Sequence, residues 1–499
     1  MVYKIEIHAE FYMTRSMTTS TMHRPTEEQR GTDRLNTVVV LGLGRQGMAM
    51  ARFFARRGVR VIASDKRDAG ALSSQVDELR ALGVTLALGG HPLSLLEEAD
   101  MLAVSGGVPL TLPIVREAQA RGIPVVSDAD LTLRYASGPV LGITGSAGKT
   151  TTTTLVGLML QTAGLKVFVG GNIGVPALDR LDALDASTWL VLELSSFQLE
   201  VCYRSPHVAG VLNVTPNHLD RHPSMEAYAD AKRNIFRYQQ PGDLLVLGWD
   251  NEWTRRWAKE AVPSGVRVFL FSLEEPVERG AYLRGDRLLV RDGEREWIVC
   301  RADEVRLRGR HNLANVLAAS AFALAVGVSP DAMAEVARSF TGVPHRLEVV
   351  ARHKGVLWVN DSIATAPERV VAALRSFEEP IVLLAGGRDK KLPWEEFARE
   401  ASQRVRWVIA FGEAAPLVER VLAPYVGVET LAGVEVVPDL ESAVFRAAEV
   451  ARTGEVVLLS PGGTSFDAYR NFEERGQHFR ELVAQVTGER GGGLGAHPA

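Results

Sequence analysis

Cysteine is nearly absent: Cys202 and Cys300 are the only two in 499 residues. They stand far apart and in no metal-binding or redox spacing, which argues against a disulfide framework and for free thiols in a cytoplasmic protein. Excess positive charge is lacking too. The formal net charge is −4, so there is no basic footprint for nucleic acid or acidic lipid. No apolar run approaches the roughly 18 residues of a membrane span. Residues 1–36 hold no apolar signal-peptide core. That stretch is polar and carries internal methionines at Met13, Met17 and Met22; it reads as a disordered extension, or as a start codon placed too early. What is present is ordinary in amount, with 46% apolar and 23% charged residues, as in a globular protein. A chain of this length favours about three domains.

The informative stretch is 139–160. An apolar segment from Val140 to Ile143 meets a Gly-rich turn, then Lys149 and Thr150, then a run with helical apolar spacing. This order of strand, loop and helix suits phosphate binding. Backbone amides of Gly145, Ser146, Ala147 and Gly148 would point at phosphate oxygens, and the helix start would add positive potential. Lys149 would reach the β- and γ-phosphates, and the Thr150 hydroxyl, with Thr151 behind it, would lie beside Mg²⁺. The strict P-loop pattern is missed, because its first glycine would fall on Ile143. A Gly-rich turn without a nucleotide is the competing reading.

Ahead of it, the strand pattern 37–41 runs into Gly42, Gly44 and Gly47 and a helix-like segment that Gly58 ends. A second strand closes on Asp65, and further β/α alternation follows to about residue 131. This is the form of a dinucleotide-binding βαβ unit, although any diphosphate fits the same turn. Beyond the phosphate loop, 189–193 reads as an apolar strand ending in Glu193. Buried strands seldom keep an unpaired acid, and a Mg²⁺-organising carboxylate is expected there. The run 211–215 reads as another strand, leading into a polar cluster with His218 and His222. Lys232 follows on a helical stretch, 225–238, where a solvated surface lysine is the bland alternative. Asn312 and Asn315 put two amides on one face of a helix start; N-capping would account for one of them. From 343 onward come paired strands, then β/α alternations with loops at 386–390 and 461–465. Such loops form the binding crevice of parallel sheets. The stretch 488–499 reads as a flexible tail.

In the motifs at 142–150, 170–174, 192–199, 213–215, 218–221, 311–312, 344–346, 360–362 and 471–476, the chain resembles the Mur ligases of peptidoglycan precursor synthesis. Within them it is most similar to the glutamate-adding MurD type. The motifs follow family order over residues 37–485, and the Ile143 variant is the family's own form. The resemblance implies an α/β fold in three domains: a Rossmann-like UDP-binding domain at 37–131, a central P-loop-type ATPase with a mostly parallel sheet at 132–342, and a Rossmann-like glutamate-binding domain at 343–487. It implies an ADP-forming amide ligase adding glutamate, D-glutamate above all, to UDP-N-acetylmuramoyl-L-alanine through an acyl phosphate. Through peptidoglycan, such an enzyme serves cell shape and division.

The same resemblance assigns residues. Gly44, Arg45, Gln46, Lys66, Arg67, Asn172 and His218 would face the UDP substrate. Residues 145–151, Asn312, Asn315 and Arg346 would bind ATP. Thr150 and Glu193 would hold one Mg²⁺ and His218 a second, while Lys232 would be carbamylated by CO₂ into an anionic ligand. That step needs a neutral amine, so burial or nearby cations must lower the pKa of Lys232. Lys149, Lys232, His218 and Asp361 would be catalytic, with His218 or Asp361 the candidates for general base; Lys390, Ser465 and Phe472 would meet the glutamate. A monomer is expected.

Two departures stand out. Ile363 and Ala366 replace a Lys and an Asn of the family pattern, and that Lys binds the glutamate carboxylate; residues 462–464 differ from the usual Ala-Cys-Ala. Lys390 or Arg388 would then hold a carboxylate instead, and the acceptor is the least fixed part of the reading. An L-glutamate-adding variant, another Mur or folylpolyglutamate-type ligase, an NAD-dependent dehydrogenase resting on 42–47 alone, and a non-catalytic nucleotide-binding module are the competing readings.

Overall fold

The computed structural model describes residues 35–218, 221–261, 265–307, 309–390 and 392–488. The extension expected at 1–36 and the tail expected at 488–499 lie outside the described residues, except for their innermost positions. The chain forms two compact units. One reaches to Val305 and takes in Arg310–Arg338, and the other joins Arg306–Gly309 to everything from Ser339 on.

The first unit holds two sheets. Strands β1 (Thr37–Leu41), β2 (Arg60–Asp65), β3 (Thr85–Leu88), β4 (Met101–Val104) and β5 (Val125–Val126) form a wholly parallel sheet in the order β3-β2-β1-β4-β5. β1 and β4 are buried along their whole length, as expected of strands covered on both faces. The helix Arg45–Arg56 packs Met48, Met50, Phe53 and Phe54 inward. The order reverses between β1 and β4, which places the 42–47 turn at the switch point where such sheets bind ligands.

The second sheet has nine strands. They are β6 (Val140–Thr144), β7 (Val167–Gly171), β8 (Trp189–Glu193), β9 (Val208–Val211), β10 (Leu244–Gly248), β11 (Arg267–Ser272), β12 (Arg279–Arg284), β13 (Arg287–Asp292) and β14 (Arg295–Arg301). Their order is β14-β13-β12-β11-β10-β9-β6-β8-β7. β6 lies between β8 and β9, and all three are fully buried, so the loops following them meet at one sheet edge. The 211–215 expectation is corrected here. The strand ends at Val211: after the last ladder bond, Leu212 N to Thr144 O, the backbone leaves β6 and Asn213 O accepts from Ser146 N of the phosphate loop. β12 to β14 are antiparallel and joined by two-residue turns in which Gly285 and Gly293 take φ of 60° and 63°.

The second unit is built on one sheet: β15 (Glu348–His353), β16 (Val356–Asn360), β17 (Ile381–Gly386), β18 (Val405–Phe411), β19 (Gly433–Val437) and β20 (Val456–Gly462), in the order β15-β16-β20-β17-β18-β19. Only β15 runs antiparallel. Apolar layers cover both faces, one around Phe397 and Leu374, the other around Phe479 and Leu482.

Candidate active site

The phosphate loop follows β6 and opens the helix Lys149–Thr162. Gly148 sits at φ +83°, and a Cβ there would stand 2.2 Å from Asn315 Oδ1, so only glycine fits the turn. The loop is held from its own unit. Ser146 N donates to Asn213 O at 3.0 Å, and Ala147 N donates to Asn213 Oδ1 at 2.9 Å. Ser146 Oγ lies 3.1 Å from Tyr228 OH and accepts from Thr215 N at 2.9 Å. Lys149 curls back over the loop, donating to the carbonyls of Gly145 (2.9 Å) and Ser146 (3.3 Å).

Glu193 ends β8 and is 2% exposed. Its two carboxylate oxygens accept from Thr150 Oγ1 at 2.7 Å and from Asn172 Nδ2 at 2.9 Å. Asn172 is set by the turn after β7, where Asn172 N donates to Glu193 O at 2.8 Å. Lys232 lies on the helix Met225–Arg237 and is 1% exposed, so it is no surface lysine. Its Nζ donates to Gly145 O at 2.9 Å and stands 4.5 Å from the centre of the Tyr228 ring. Burial, reinforced by the Lys149 ammonium and opposed by Glu193, drives its pKa well below the ordinary lysine value. Burial thus disfavours its ammonium form. Lys149, Thr150, Glu193, Asn172 and Lys232 are therefore brought together on one loop.

His218 takes the left-handed φ of 55°, and its ring packs against Phe197 (5.1 Å) and Tyr228 (6.5 Å). His222 is buried, 3.0 Å from Ser196 Oγ and stacked on Phe197. Asn312 and Asn315 both lie inside the helix Arg310–Ala325, so N-capping explains neither. Asn315 donates to Asn312 Oδ1 at 3.0 Å and turns its own oxygen to the Gly148 end of the loop. The half-buried Thr151 sits in the first turn of the loop helix.

At the switch point of the first sheet, a depression of about 360 Å³ is lined by Gly44, Arg45, Arg67 and Gln75 among others. Arg67 is clamped by Asp65 at 2.8 and 2.9 Å, and Asp65 also accepts Leu43 N at 2.7 Å. Burial alone would raise the Asp65 carboxyl, but these hydrogen bonds outweigh it and hold it well below the usual carboxylate range. Arg45 reaches the carbonyls of Asn172 and Gly174 at 2.7 and 3.0 Å, joining this turn to the one beside Glu193. Gln46 accepts Gly106 N at 3.3 Å instead of facing the depression, and Lys66 is exposed outside it.

In the second unit Asp361 directly follows β16, buried, accepting from Ser460 Oγ at 2.8 Å and Leu347 N at 3.2 Å. Burial pushes its pKa up to about 7 against those bonds and against the fields of Arg346 and Arg369. Arg346 is half-buried nearby. Lys390 donates to Thr365 Oγ1 at 3.2 Å. Ser465 is buried, and Phe472 sits edge-on to His345 at 6.3 Å with its carbonyl accepting Ser362 Oγ at 2.8 Å. Arg475, fully buried, ties Ser362 O to Gly463 O at 2.9 and 3.3 Å. Arg388 pairs twice with Glu413, at 2.8 Å each. Tyr228 and Thr365 were not singled out from the sequence. Tyr228 stands four residues before Lys232 on one helix, which puts both on one face, and that spacing was a usable signal.

Three family models match in chain order: a Mur ligase MurD-like N-terminal domain over 36–127, the Mur ligase middle domain over 143–323 and the Mur ligase glutamate ligase domain over 345–463. A UDP-N-acetylmuramoylalanine–D-glutamate ligase of Symbiobacterium thermophilum is 45% identical over 90% of this chain and 98% of its own length. The chain belongs to the Mur ligase family. A second relative of the same name, from Acetivibrio thermocellus, is 40% identical to this Mur ligase over 90% of the chain and 96% of its own length. Solved structures of a MurF from Acinetobacter baumannii (17% identity, 91% and 93% coverage, TM-score 0.53) and a MurC from Thermotoga maritima (19%, 90% and 99%, 0.52) share the fold. This Mur ligase is thus a three-domain α/β enzyme, an ATP-dependent, ADP-forming ligase, and the dehydrogenase reading of the 42–47 turn falls. Among the described residues no helix is long and apolar enough to cross a membrane.

Proposed function

We propose that this Mur ligase joins D-glutamate to UDP-N-acetylmuramoyl-L-alanine, converting ATP to ADP and phosphate. One observation carries the reading: Glu193, Thr150 and the buried Lys232 gather around a phosphate loop in a chain whose relatives at 45% and 40% identity are named D-glutamate ligases. The L-alanyl carboxylate would attack the γ-phosphorus, releasing ADP and leaving an acyl phosphate. The glutamate amine, once deprotonated, would then attack that carbonyl and phosphate would leave. Phosphoryl transfer of this kind needs positioning and charge neutralisation more than covalent help from the protein.

The donor chemistry fits Mg²⁺. Thr150 and Glu193 offer hard oxygen ligands, and no cluster of three His, Cys, Asp or Glu exists among the described residues to hold a metal unaided. Phosphate oxygens would complete the shell, and the ion when bound would neutralise charge building on the transferred phosphoryl group. Lys149 would move from the loop carbonyls onto the β- and γ-phosphates. In its neutral form Lys232 would add CO₂ and lose a proton, giving a carbamate oxygen that would serve as a further ligand. We assign His218 to a second metal and to the sugar substrate, the depression beside Arg67 to the uridine diphosphate, Asn312 and Asn315 to the adenine, and Arg346 to the ATP phosphates. Lys390, Ser465 and Phe472 are assigned to the glutamate, with Thr365 added because it bonds Lys390. For Asp361, bonds from Ser460 and Leu347 favour positioning over proton transfer. We place the domain boundaries at 131/132 and 342/343 and infer a monomeric, cytoplasmic enzyme.

The test is isotopic. Substrate carrying ¹⁸O in the L-alanyl carboxylate should deliver one ¹⁸O to the released phosphate, with the nucleotide sugar gaining one glutamate residue by mass. Phosphate free of label would overturn the acyl-phosphate route, and an unchanged nucleotide sugar would overturn the ligase assignment.

A further inference from the structure

The second unit supplies a cation where the family pattern has lost one. Ile363 sits in the loop after β16, where it offers only a backbone carbonyl to a ligand. Arg388, one sequence-based substitute, is committed to Glu413 through two hydrogen bonds of 2.8 Å. Arg369, in the first turn of the helix Pro367–Leu374, is placed differently. Its guanidinium folds back over the loop, and Nη1 donates to Ile363 O at 3.3 Å. An exposed arginine is thereby held against the residue that replaces the family's lysine.

Lys390 completes the arrangement. It bonds Thr365, two residues from Ile363, at 3.2 Å. After burial, the Arg369 charge is the largest influence lowering its pKa, Glu368 opposes, and Arg475 adds to the lowering. Two cations, Arg369 and Lys390, are therefore held against the loop that follows β16, at the carboxyl end of a parallel strand, where ligands of such sheets bind. Like charges gathered so closely repel, and an anion between them relieves the repulsion. An amino dicarboxylate carries two carboxylates and calls for two cationic groups. A guanidinium, with its forked donors, can take one carboxylate in bidentate fashion.

We propose that Arg369 takes the place of the missing lysine and, together with Lys390, binds the carboxylates of the incoming amino acid. The proposal rests on the glutamate-ligase reading above. The experiment is steady-state phosphate release by the full chain, varying D-glutamate, ATP or UDP-N-acetylmuramoyl-L-alanine in turn. Arg369→Ala is expected to raise the KM for D-glutamate by about tenfold to a hundredfold, with the other two KM values within about twofold. Arg369→Lys should fall between the two enzymes. Adding Ile363→Lys to Arg369→Ala should return the glutamate KM most of the way to wild type. If Arg369→Ala does not fold, Arg369→Gln is read by the same criteria. An unchanged glutamate KM, or an equal rise in all three KM values, overturns the proposal. A wild-type enzyme with no glutamate-dependent phosphate release overturns the functional reading and the proposal together.

Discussion

Replacing Glu193 by glutamine separates metal organisation from folding. In the structure both carboxylate oxygens of this buried side chain accept hydrogen bonds, from Thr150 at 2.7 Å and Asn172 at 2.9 Å. Glutamine keeps the shape, and Thr150 can rotate its hydroxyl to accept where it now donates. A hydrogen bond to a charged group is worth about 1.5–3 kcal/mol and a neutral one about 0.5–1.5, so the two bonds together lose about 2–3 kcal/mol. Against this stands the desolvation cost of a buried carboxylate, several kcal/mol, which the variant no longer bears. The ligand-free Glu193→Gln protein should therefore melt within a few degrees of wild type, or above it. Turnover should behave otherwise. Losing the anionic oxygen beside Thr150 should lower kcat/KM by about a hundredfold to a thousandfold, about 2.7–4 kcal/mol of transition-state stabilisation. The assays are thermal unfolding without ligands and phosphate release over a range of Mg²⁺ concentrations. Full turnover by the variant would refute a metal-organising Glu193, and a large loss of melting temperature with turnover lost in proportion would make it a structural residue.

Other outcomes follow from the same geometry. Lys149→Ala should lose about a hundredfold or more in phosphate release and abolish the thermal stabilisation given by ATP. Gly148→Ala should cost about 1–2 kcal/mol for its left-handed backbone and more for the clash with Asn315; a melting temperature unaltered by the substitution would show that the loop relaxes freely. Asp128 is buried and accepts from Gln198 Nε2 at 2.9 Å, and burial, opposed by that bond, raises its pKa to about 6. The folded state then holds its proton longer than the unfolded state, so this group costs nothing below pH 4 and destabilises increasingly up to about pH 6. The full cost is about 3 kcal/mol. Asp128→Asn should accordingly gain stability over wild type at pH 7.5 but not at pH 4, as read by urea unfolding at the two values. Arg369→Ala should raise the KM for D-glutamate selectively, by about tenfold or more.

The phosphate loop and Glu193 were legible in the sequence because each is a local event, a strand with its last residue or the turn that must follow, whereas Lys232 on its helix carried no local mark and was assigned only through the family resemblance. Glu193 could be read from chemistry alone, since an acid ending a buried strand needs a partner. Elsewhere tertiary contacts decided. The run 208–215 is nearly all apolar, so nothing in its composition marks the end of β9 at Val211, which is set by bonds to the phosphate loop. The hairpins of β12 to β14 carry a local mark, Gly285 and Gly293 at their turns, but they interrupt the β/α alternation that the rest of the chain follows. The three-residue spacing of Asn312 and Asn315 sets them on one helical face, but their mutual hydrogen bond depends on rotamers that spacing does not fix. Arg388 and Arg369 could not be ranked from sequence either. Both flank the departure at Ile363, and only the fold commits the first to Glu413 and turns the second back onto the loop.

The central claim is the identity of the acceptor, and it is met most directly by comparing the enantiomers of glutamate. Phosphate release should be measured with ATP, Mg²⁺ and UDP-N-acetylmuramoyl-L-alanine, adding D-glutamate or L-glutamate. Release driven by D-glutamate and near background with L-glutamate is the predicted result. Equal or greater release with L-glutamate, or none with either, would contradict it.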